Sequence, residues 1–342
     1  MEPPDPPSTN ATLDDVARVA GVSRATASRA VNGGAKVSAR AQAAVDAAVS
    51  TLNYSPNPAA RSLVTRRTDS IAVVVPEPED RVFTDPFFAG TLRAVSRVLA
   101  EHELQMVLLL APRGAVGDRT LRYLRGRHAD GALVTSHHRQ DRMAHRLAEL
   151  GLPSVFCGRP WSGSNLVTYV DTDNVEGGRL AAEALLARGC RRIGTVAGPE
   201  DMTASVDRLE GWRAGLAAAG VLRDRVAHGD FTVAGGERAT RALLEEHPDL
   251  DGLFVASDLM ASGALNALRA TGRRVPQDVA VVGFDDLGVA EHTSPPLTTL
   301  RNPVAEMADQ ATRMLIQQIR GQSSAAPVRV VMPTALVVRE SC

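Results

Sequence analysis

Between Gly21 and Asn32 the sequence reads GVSRATASRAVN, which sets Ser23, Arg24, Ala25, Thr26 and Arg29 along the first two turns of a short helix. Arginine bonds bidentately to guanine O6 and N7, and alanine and threonine methyl groups pack against the methyl of thymine. These residue types therefore suit the reading of base edges in a major groove. Plainer readings stand beside these: Thr26 as helix surface, and Arg29 as a neutraliser of phosphate. Lys36 reads as a phosphate contact rather than a base reader.

The elements that must hold these side chains are visible around them. Leu13, Val16, Ala17 and Ala20 recur at the helical period, Thr12 is placed to cap their helix, and Asp14 and Asp15 sit in its first turn. Gly21 ends that helix, and Ser23 caps the next, which turns Ala27, Ala30 and Val31 inward. So tight a join predicts a helix-turn-helix. Ser38 caps a third helix with Ala41, Val45, Ala48 and Leu52 inward, ending near Asn53. Residues 53–70 follow as turn formers around a two-turn helix at 57–64, too short to be stable alone in water. It reads as a linker ordered by what it binds, with a permanently packed connector as the alternative.

Charge supports a nucleic-acid partner. Residues 11–67 hold eight basic and three acidic residues, a balance of +5, while the remainder holds 30 basic and 36 acidic, or −6. A basic module on an acidic body points to polyanion contact at one end. Enzyme chemistry finds little support. Lys36 is the single lysine beside 37 arginines and lies in neither a Walker A loop nor a Schiff-base setting. The eight histidines and three cysteines form no metal signature, no G-x-S-x-G elbow occurs, and TVAGPE lacks the dinucleotide fingerprint. No catalytic residue, metal or cofactor is therefore expected. The acidic, proline-rich first ten residues and the absence of a long apolar run predict no export signal and no membrane span, hence a cytoplasmic protein, nucleoid-associated when bound.

At 342 residues, 44% of them apolar, the chain has room for two or three domains. From residue 71 apolar runs alternate with helix-length segments: IAVVV at 71–75, MVLLL at 106–110, ALV at 132–134, SVFC at 154–157, IGTVA at 193–197, LFVA at 253–256 and VAVVGF at 279–284. ALVV at 335–338 returns as a further strand, and GQSSAAP at 321–327 reads as an exposed loop. This succession predicts parallel sheets covered on both faces, divided into two subdomains with a ligand crevice at the strands' carboxyl ends. Asp285, ending GFD, falls at such an end. Arg208 falls near the start of a helix, and Asp258 opens another as either its cap or a ligand contact. Of Phe87 and Phe88, one is expected to pack inward and the other to line the crevice.

The string TLDDVARVAGVSRATASRAVNGGAKVSARAQAAV, followed by LNYSPNPAARSL, resembles the DNA-binding and hinge segments of LacI/GalR-type transcriptional regulators. The likeness continues through DPFFAG at 85–90, VDTDNVEGGRLAAEALLARGCRRIGTVAGP at 170–199, VDRLEGWRAGL at 206–216, SDLMASGAL at 257–265, GRRVPQDVAVVGFDD at 272–286 and PPLTTLRNPVAEMA at 295–308. It implies a homodimer on a palindromic double-stranded operator. By matching positions, Thr12, Ser23, Arg24, Ala25, Thr26, Ser28, Arg29, Asn32 and Ser38 fall in or beside the DNA-contacting region. Asn57 and Ala60 map to the hinge face, and Leu63 maps to the wedge in the central base step, with a contact between hinge helices as its alternative.

The resemblance further implies a multidomain fold: a disordered tail over 1–10, an all-α three-helix headpiece over 11–56, and a hinge helix and linker over 57–70. A periplasmic-binding-protein-like α/β core follows, with subdomains 71–169 plus 299–328 and 170–298 plus 329–342. It assigns effector contact to Arg208 and Asp285, with Ser257 and Phe231 alongside. Serine stands at 257 where some sugar-responsive members carry asparagine. A sugar needs an aromatic platform ringed by polar groups, for which Phe87, Phe231 and Trp161 are candidates. VFCGRPW, YVDTDN, AGPEDM and VDRLEGW look most like actinobacterial regulators of oligosaccharide use, including cello-oligosaccharides. A repressor released by a mono- or oligosaccharide is the function implied. A purine- or sugar-phosphate-responsive regulator and a non-transcriptional sugar receptor remain the alternatives.

Overall fold

The chain divides into two compact units, Met1–Thr68 and Asp69–Cys342. The computed structural model describes residues 11–32, 37–55, 67–110, 118–221, 224–324 and 326–342. The expected tail over 1–10, the 57–64 helix, and the candidate residues Lys36, Asn57, Ala60 and Leu63 lie outside the described residues. Among the described residues no helix is long and apolar enough to cross a membrane.

In the first unit, α1 (Leu13–Ala20), α2 (Arg24–Val31) and α3 (Ala39–Leu52) enclose a small core of Val16, Ala17, Ala27, Ala30, Val45 and Ala48. The capping expectations hold. Thr12 Oγ1 accepts from Asp15 N at 3.3 Å and Asp15 Oδ2 accepts from Thr12 N at 3.1 Å, which satisfies two of the helix's otherwise unpaired donors reciprocally. Ser23 and Ser38 accept from Thr26 N (3.2 Å) and Ala41 N (3.3 Å). Gly21, at φ 64°, takes the left-handed conformation that lets the chain leave α1 and enter α2 at once.

The second unit holds two six-stranded sheets. The first is wholly parallel, in the order β11-β5-β4-β3-β1-β2, from β1 (Ser70–Val75), β2 (Gln105–Leu110), β3 (Gly131–Thr135), β4 (Ser154–Cys157), β5 (Thr168–Thr172) and β11 (Arg329–Met332). Its strand β1, between β3 and β2, is apolar on both sides. Ile71, Val73 and Val75 meet α5 (Pro86–Glu101) and α12 (Val304–Ile319), while Ala72 and Val74 meet α6 (Asp118–Arg125) and α7 (Met143–Leu150). That double covering is why the strand reads as an unbroken hydrophobic run. A short helix, α4 (Glu79–Thr84), lies between β1 and α5.

The second sheet runs β12-β10-β9-β8-β6-β7, from β6 (Ile193–Ala197), β7 (Val226–His228), β8 (Gly252–Val255), β9 (Ala280–Asp285), β10 (Thr298–Arg301) and β12 (Ala335–Val337). All its pairs are parallel except β10 with β12. Leu253, Val255 and Val281 face α10 (Val233–Glu246) and α11 (Asp258–Ala270). Phe254, Val282 and Phe284 face α8 (Asn174–Ala187) and α9 (Thr203–Ala218), which bury Trp212. Helices α8 and α9 touch backbone to backbone. A Cβ on Gly211 would fall 1.8 Å from Val175 O, and one on Gly178 would fall 2.0 Å from Arg208 O. This close crossing carries Arg208 to the end of the sheet.

The subdomain boundaries differ from the expected ones. Strand β5 continues to Thr172 in the first sheet, β10 pairs with β9 in the second, and β11 returns to the first beside β5. The chain therefore crosses between lobes near residues 173, 302–303 and 333–334 rather than at 169, 298 and 328. The lobe of a strand is decided by its hydrogen-bonded neighbour, which the strand's own composition does not encode.

Candidate functional site: a recognition helix and an interlobe cleft

On α2, burial of Ala27 and Ala30 turns Arg24, Ala25 and Arg29 outward, with Thr26 and Ser28 half-buried. No acidic residue stands in this helix's first turn, leaving its positive dipole end and two guanidinium groups for an anionic partner. Arg24 Nε meets Asp14 at 3.1 Å, but both side chains are largely exposed and so weakly held. Asn32 Nδ2 donates to Ser28 O at 2.8 Å, closing the helix end. Thr12, Ser23 and Ser38 serve as caps at the three helix starts.

In the second unit a cleft of about 740 Å³ opens between the carboxyl ends of the two sheets. Phe87 and Phe231 contribute aromatic surface, with Met202, Leu259 and Met307 adding further apolar wall. Phe88 points away into the first lobe's core, which settles the division of labour between the paired phenylalanines. Phe231 sits at φ 61° and presses against Gly198, where a Cβ would come within 2.3 Å of its ring. Its other surroundings include the Arg81 guanidinium, 5.2 Å from the ring centroid.

Arg208 is the centre of the polar wall. Its Nε donates to Asn174 Oδ1 (2.9 Å), its Nη1 donates to Ala256 O (2.6 Å), and it lies 3.6 Å over the Phe284 ring. Asp285 Oδ1 stands 3.7 Å from Nη2, an ion pair without a hydrogen bond, and accepts instead from Asn302 Nδ2 at 3.1 Å. Burial weakens the guanidinium's hold on its proton, a tendency that Asp285 and Asp171 oppose. Burial pushes Asp285 up to about 6 against the pull of Arg208. Asp171 is likewise pushed to about 6 by burial, and Asp85 is raised for the same reason. Two further first-lobe groups on the wall are neutral. Burial drives His137 down to about 4, so its Nε2 donates to Gly158 O at 3.1 Å as an uncharged imidazole, and the Cys157 thiol is pushed up to about 12.

Asp285 also carries φ 124°, a conformation costing about 1–3 kcal/mol in a non-glycine residue. Both features are unfavourable to the empty protein and place acceptors where a ligand needs them. The Asp285 contribution to stability is complete below about pH 4 and is lost as pH rises toward 6. Asp285→Asn removes that loss. Urea denaturation is expected to show the variant gaining on the order of 1 kcal/mol over the parent at pH 7, with little difference at pH 4. An unchanged pH slope would refute the assignment.

The cleft brings together Phe87, Arg208, Phe231, Ser257 and Asp285 of the residues expected there. Ser257 caps α11 by accepting from Met260 N at 3.3 Å. Asp258 is not on the wall. Its carboxylate is buried behind it, accepting from Thr299 Oγ1 (2.6 Å) and Asp286 N (2.7 Å), and so braces the turn after Asp285. Trp161 is also off the main wall, in a smaller neighbouring recess, with the Arg139 guanidinium 4.1 Å over its ring. Asp171, Asn174 and Asn302 line the cleft but were not anticipated. Asp171 and Asn174 follow directly from the strand-end rule once β5 is placed at VDT, whereas Arg81 has no sequence signal because only the fold of α4 brings it inward.

Residues 12–57 match the family described as bacterial regulatory proteins, lacI family, and residues 167–342 match the periplasmic binding protein-like domain. The chain is 48% identical over 333 residues to the HTH-type transcriptional regulator CelR of Thermobifida fusca, covering 96% of this chain and 98% of that one. It is 35% identical over 331 residues to the ribose operon repressor of Halalkalibacterium halodurans, covering 96% of each. Among solved structures, a transcriptional regulator CelR–cellobiose complex aligns with TM-score 0.78 at 46% identity, over 97% of this chain and all of that one. The Lac repressor dimer bound to operator and the anti-inducer ONPF aligns with TM-score 0.86 at 28% identity, over 97% of this chain and 99% of that one. A helix-turn-helix with an outward arginine face, joined to a two-lobed α/β core and matched along nearly its whole length, makes this chain a member of the LacI family, a DNA-binding transcriptional regulator.

Proposed function

We propose that the protein is a homodimeric repressor released from a palindromic operator by a neutral β-linked gluco-oligosaccharide of the cellobiose type. The observation that carries the effector class is the make-up of the cleft. Arg208 and Asn302 offer donors, Asp285, Asp171 and Asp85 offer acceptors, and the rings of Phe87 and Phe231 border the same space. Equatorial hydroxyls pair with such alternating donors and acceptors while the sugar's C–H face rests on aromatic surface. Three carboxylates on the wall, one buried and two partly buried, disfavour a phosphorylated ligand by like charge. The cellobiose complex of a 46%-identical regulator supports the same ligand class. On the DNA side, Arg24 and Arg29 read base edges, Ser23, Ala25, Thr26, Ser28 and Asn32 complete the groove-facing surface, and Thr12, Ser38 and Lys36 meet the phosphate backbone. Asn57, Ala60 and Leu63 form the hinge contact in the minor groove.

The test begins with selection of operator from randomised duplex DNA, followed by fluorescence anisotropy of the complex during titration with cellobiose, cellotriose, ribose, hypoxanthine and glucose 6-phosphate. Release by cellobiose or cellotriose alone is expected. Release by hypoxanthine or the sugar phosphate, with both glucosides inert, would overturn the effector assignment while leaving DNA binding intact.

A further inference from the structure

Beside the cleft, three loops at strand ends converge on one imidazole. His138 follows β3, Glu77 follows β1 in the same lobe, and Asp201 follows β6 in the other lobe. His138 Nε2 lies 2.9 Å from Glu77 Oε1, and Nδ1 lies 2.9 Å from Asp201 Oδ2. The ring is 3% exposed and Glu77 is wholly buried, whereas Asp201 is 41% exposed. An ionised carboxylate only accepts hydrogen bonds, so both ring nitrogens must carry protons to satisfy both partners. The arrangement therefore requires one proton more than a neutral histidine supplies.

The same rim holds further interlobe bonds. Arg139 N donates to Asp201 O (2.9 Å) and its Nη2 donates to Glu200 O (3.3 Å). Arg159 Nη2 reaches both oxygens of Asp207 at 2.6 and 2.7 Å, and Thr203 Oγ1 donates to Arg159 O at 2.6 Å. All cross between lobes that the three chain crossings also join, as a clasp beside a hinge. Arg159 stays charged throughout the ordinary pH range, which leaves His138 as the group in the clasp that changes state.

We propose that His138 is a proton-dependent latch between the two lobes, holding the cleft closed when protonated and letting it open when neutral. Among the described residues, Glu77, Asp201 and Asp141 carry charge beside His138. Glu77 also accepts from Arg81 Nη1 (2.5 Å) and Ser136 Oγ (2.6 Å), so it remains ionised in its own lobe, and Asp141 accepts from the His138 backbone N–H at 2.6 Å. His137, next in the chain, stays neutral and competes for no proton. Burial opposes the imidazolium, but Glu77 and then Asp201 outweigh it and raise its proton affinity. Opening removes Asp201 and leaves Glu77, so the closed form binds the proton more tightly than the open form. Closure is then favoured fully below the open-form value, and that preference is lost as pH rises through the closed-form value. The latch goes beyond the repressor reading and holds whatever ligand fills the cleft.

The test uses the full-length protein without effector. Histidine ring resonances in protein carrying ¹³C-labelled histidine are followed against pH, with His138 assigned by its disappearance in His138→Gln. Amide exchange, corrected for intrinsic pH dependence, is followed in residues 136–142 and 198–207. His138 is expected to titrate above an ordinary histidine, and protection of both segments is expected to fall through the same midpoint. Asp201→Asn, at a half-exposed site that spares the core, should lower the proton affinity of His138 by about tenfold and leave the exchange flat with pH. A His138 midpoint unmoved by Asp201→Asn, or protection in the parent protein that ignores pH, would overturn the latch.

Discussion

Arg208→Met is expected to weaken cellobiose binding by more than about a hundredfold, the loss that follows when a buried charged donor set is removed from a polar ligand. Methionine keeps an unbranched apolar stem but is two atoms shorter, so it gives up the guanidinium over the Phe284 ring and the bonds to Asn174 and Ala256 O, and leaves Asp285 without its nearest cation. The carboxylate then favours its neutral form still further, so the site loses an acceptor as well as a donor. Arg208→Lys preserves the charge without the planar fork that spans two partners, and its affinity should fall between the two. Calorimetry with cellobiose measures both variants, and anisotropy on the selected operator reports whether the fold survives. Operator binding should persist within about twofold while release by sugar disappears, because effector and operator meet different units and couple only through the equilibrium between lobe arrangements. Undiminished cellobiose affinity in Arg208→Met would remove Arg208 from the site.

Arg24→Ala is expected to relax base preference at one symmetric pair of operator positions by about 1–3 kcal/mol, the worth of a bidentate arginine–guanine contact. The side chain stands outward at the start of α2, tethered only by the exposed ion pair with Asp14. That pair is easily surrendered to a base, so the cost of rearrangement is small. Lys36→Ala provides the contrast. As a phosphate contact it should weaken all duplexes alike and lower the salt slope by about one ion per headpiece, without altering which bases are chosen. Binding-site selection for each variant separates the two roles. An unchanged selected sequence for Arg24→Ala would assign that arginine to the backbone instead.

What the sequence determined unaided is local. Thr12, Ser23 and Ser38 announce three helix starts because a short hydroxyl side chain reaches only the amides of its own first turn. Runs such as IAVVV and SVFC announce buried strands because both faces of a parallel sheet are covered, and Asp285 announces itself as the last residue of one. The resemblance carried by the longer strings supplied Arg208, whose importance no local rule reveals. Tertiary structure decided everything that depends on a neighbour distant in sequence. The lobe to which β5, β10 and β11 belong rests on a hydrogen-bonded partner strand, and strand composition is the same in either sheet. Asp258 and Trp161 have the chemistry of ligand contacts, yet Thr299 and the Asp286 amide occupy one and Arg139 covers the other. Arg81, Asp171 and Asn302 reach the cleft only because three separate stretches of chain end at one face. The pairing of His138 with Glu77 and Asp201 spans 61 and 63 residues, and no periodicity encodes a hydrogen bond over that separation. Side-chain chemistry is written in the residue, but whether it is spent on a ligand or on another residue depends on which groups the fold brings within about 3 Å.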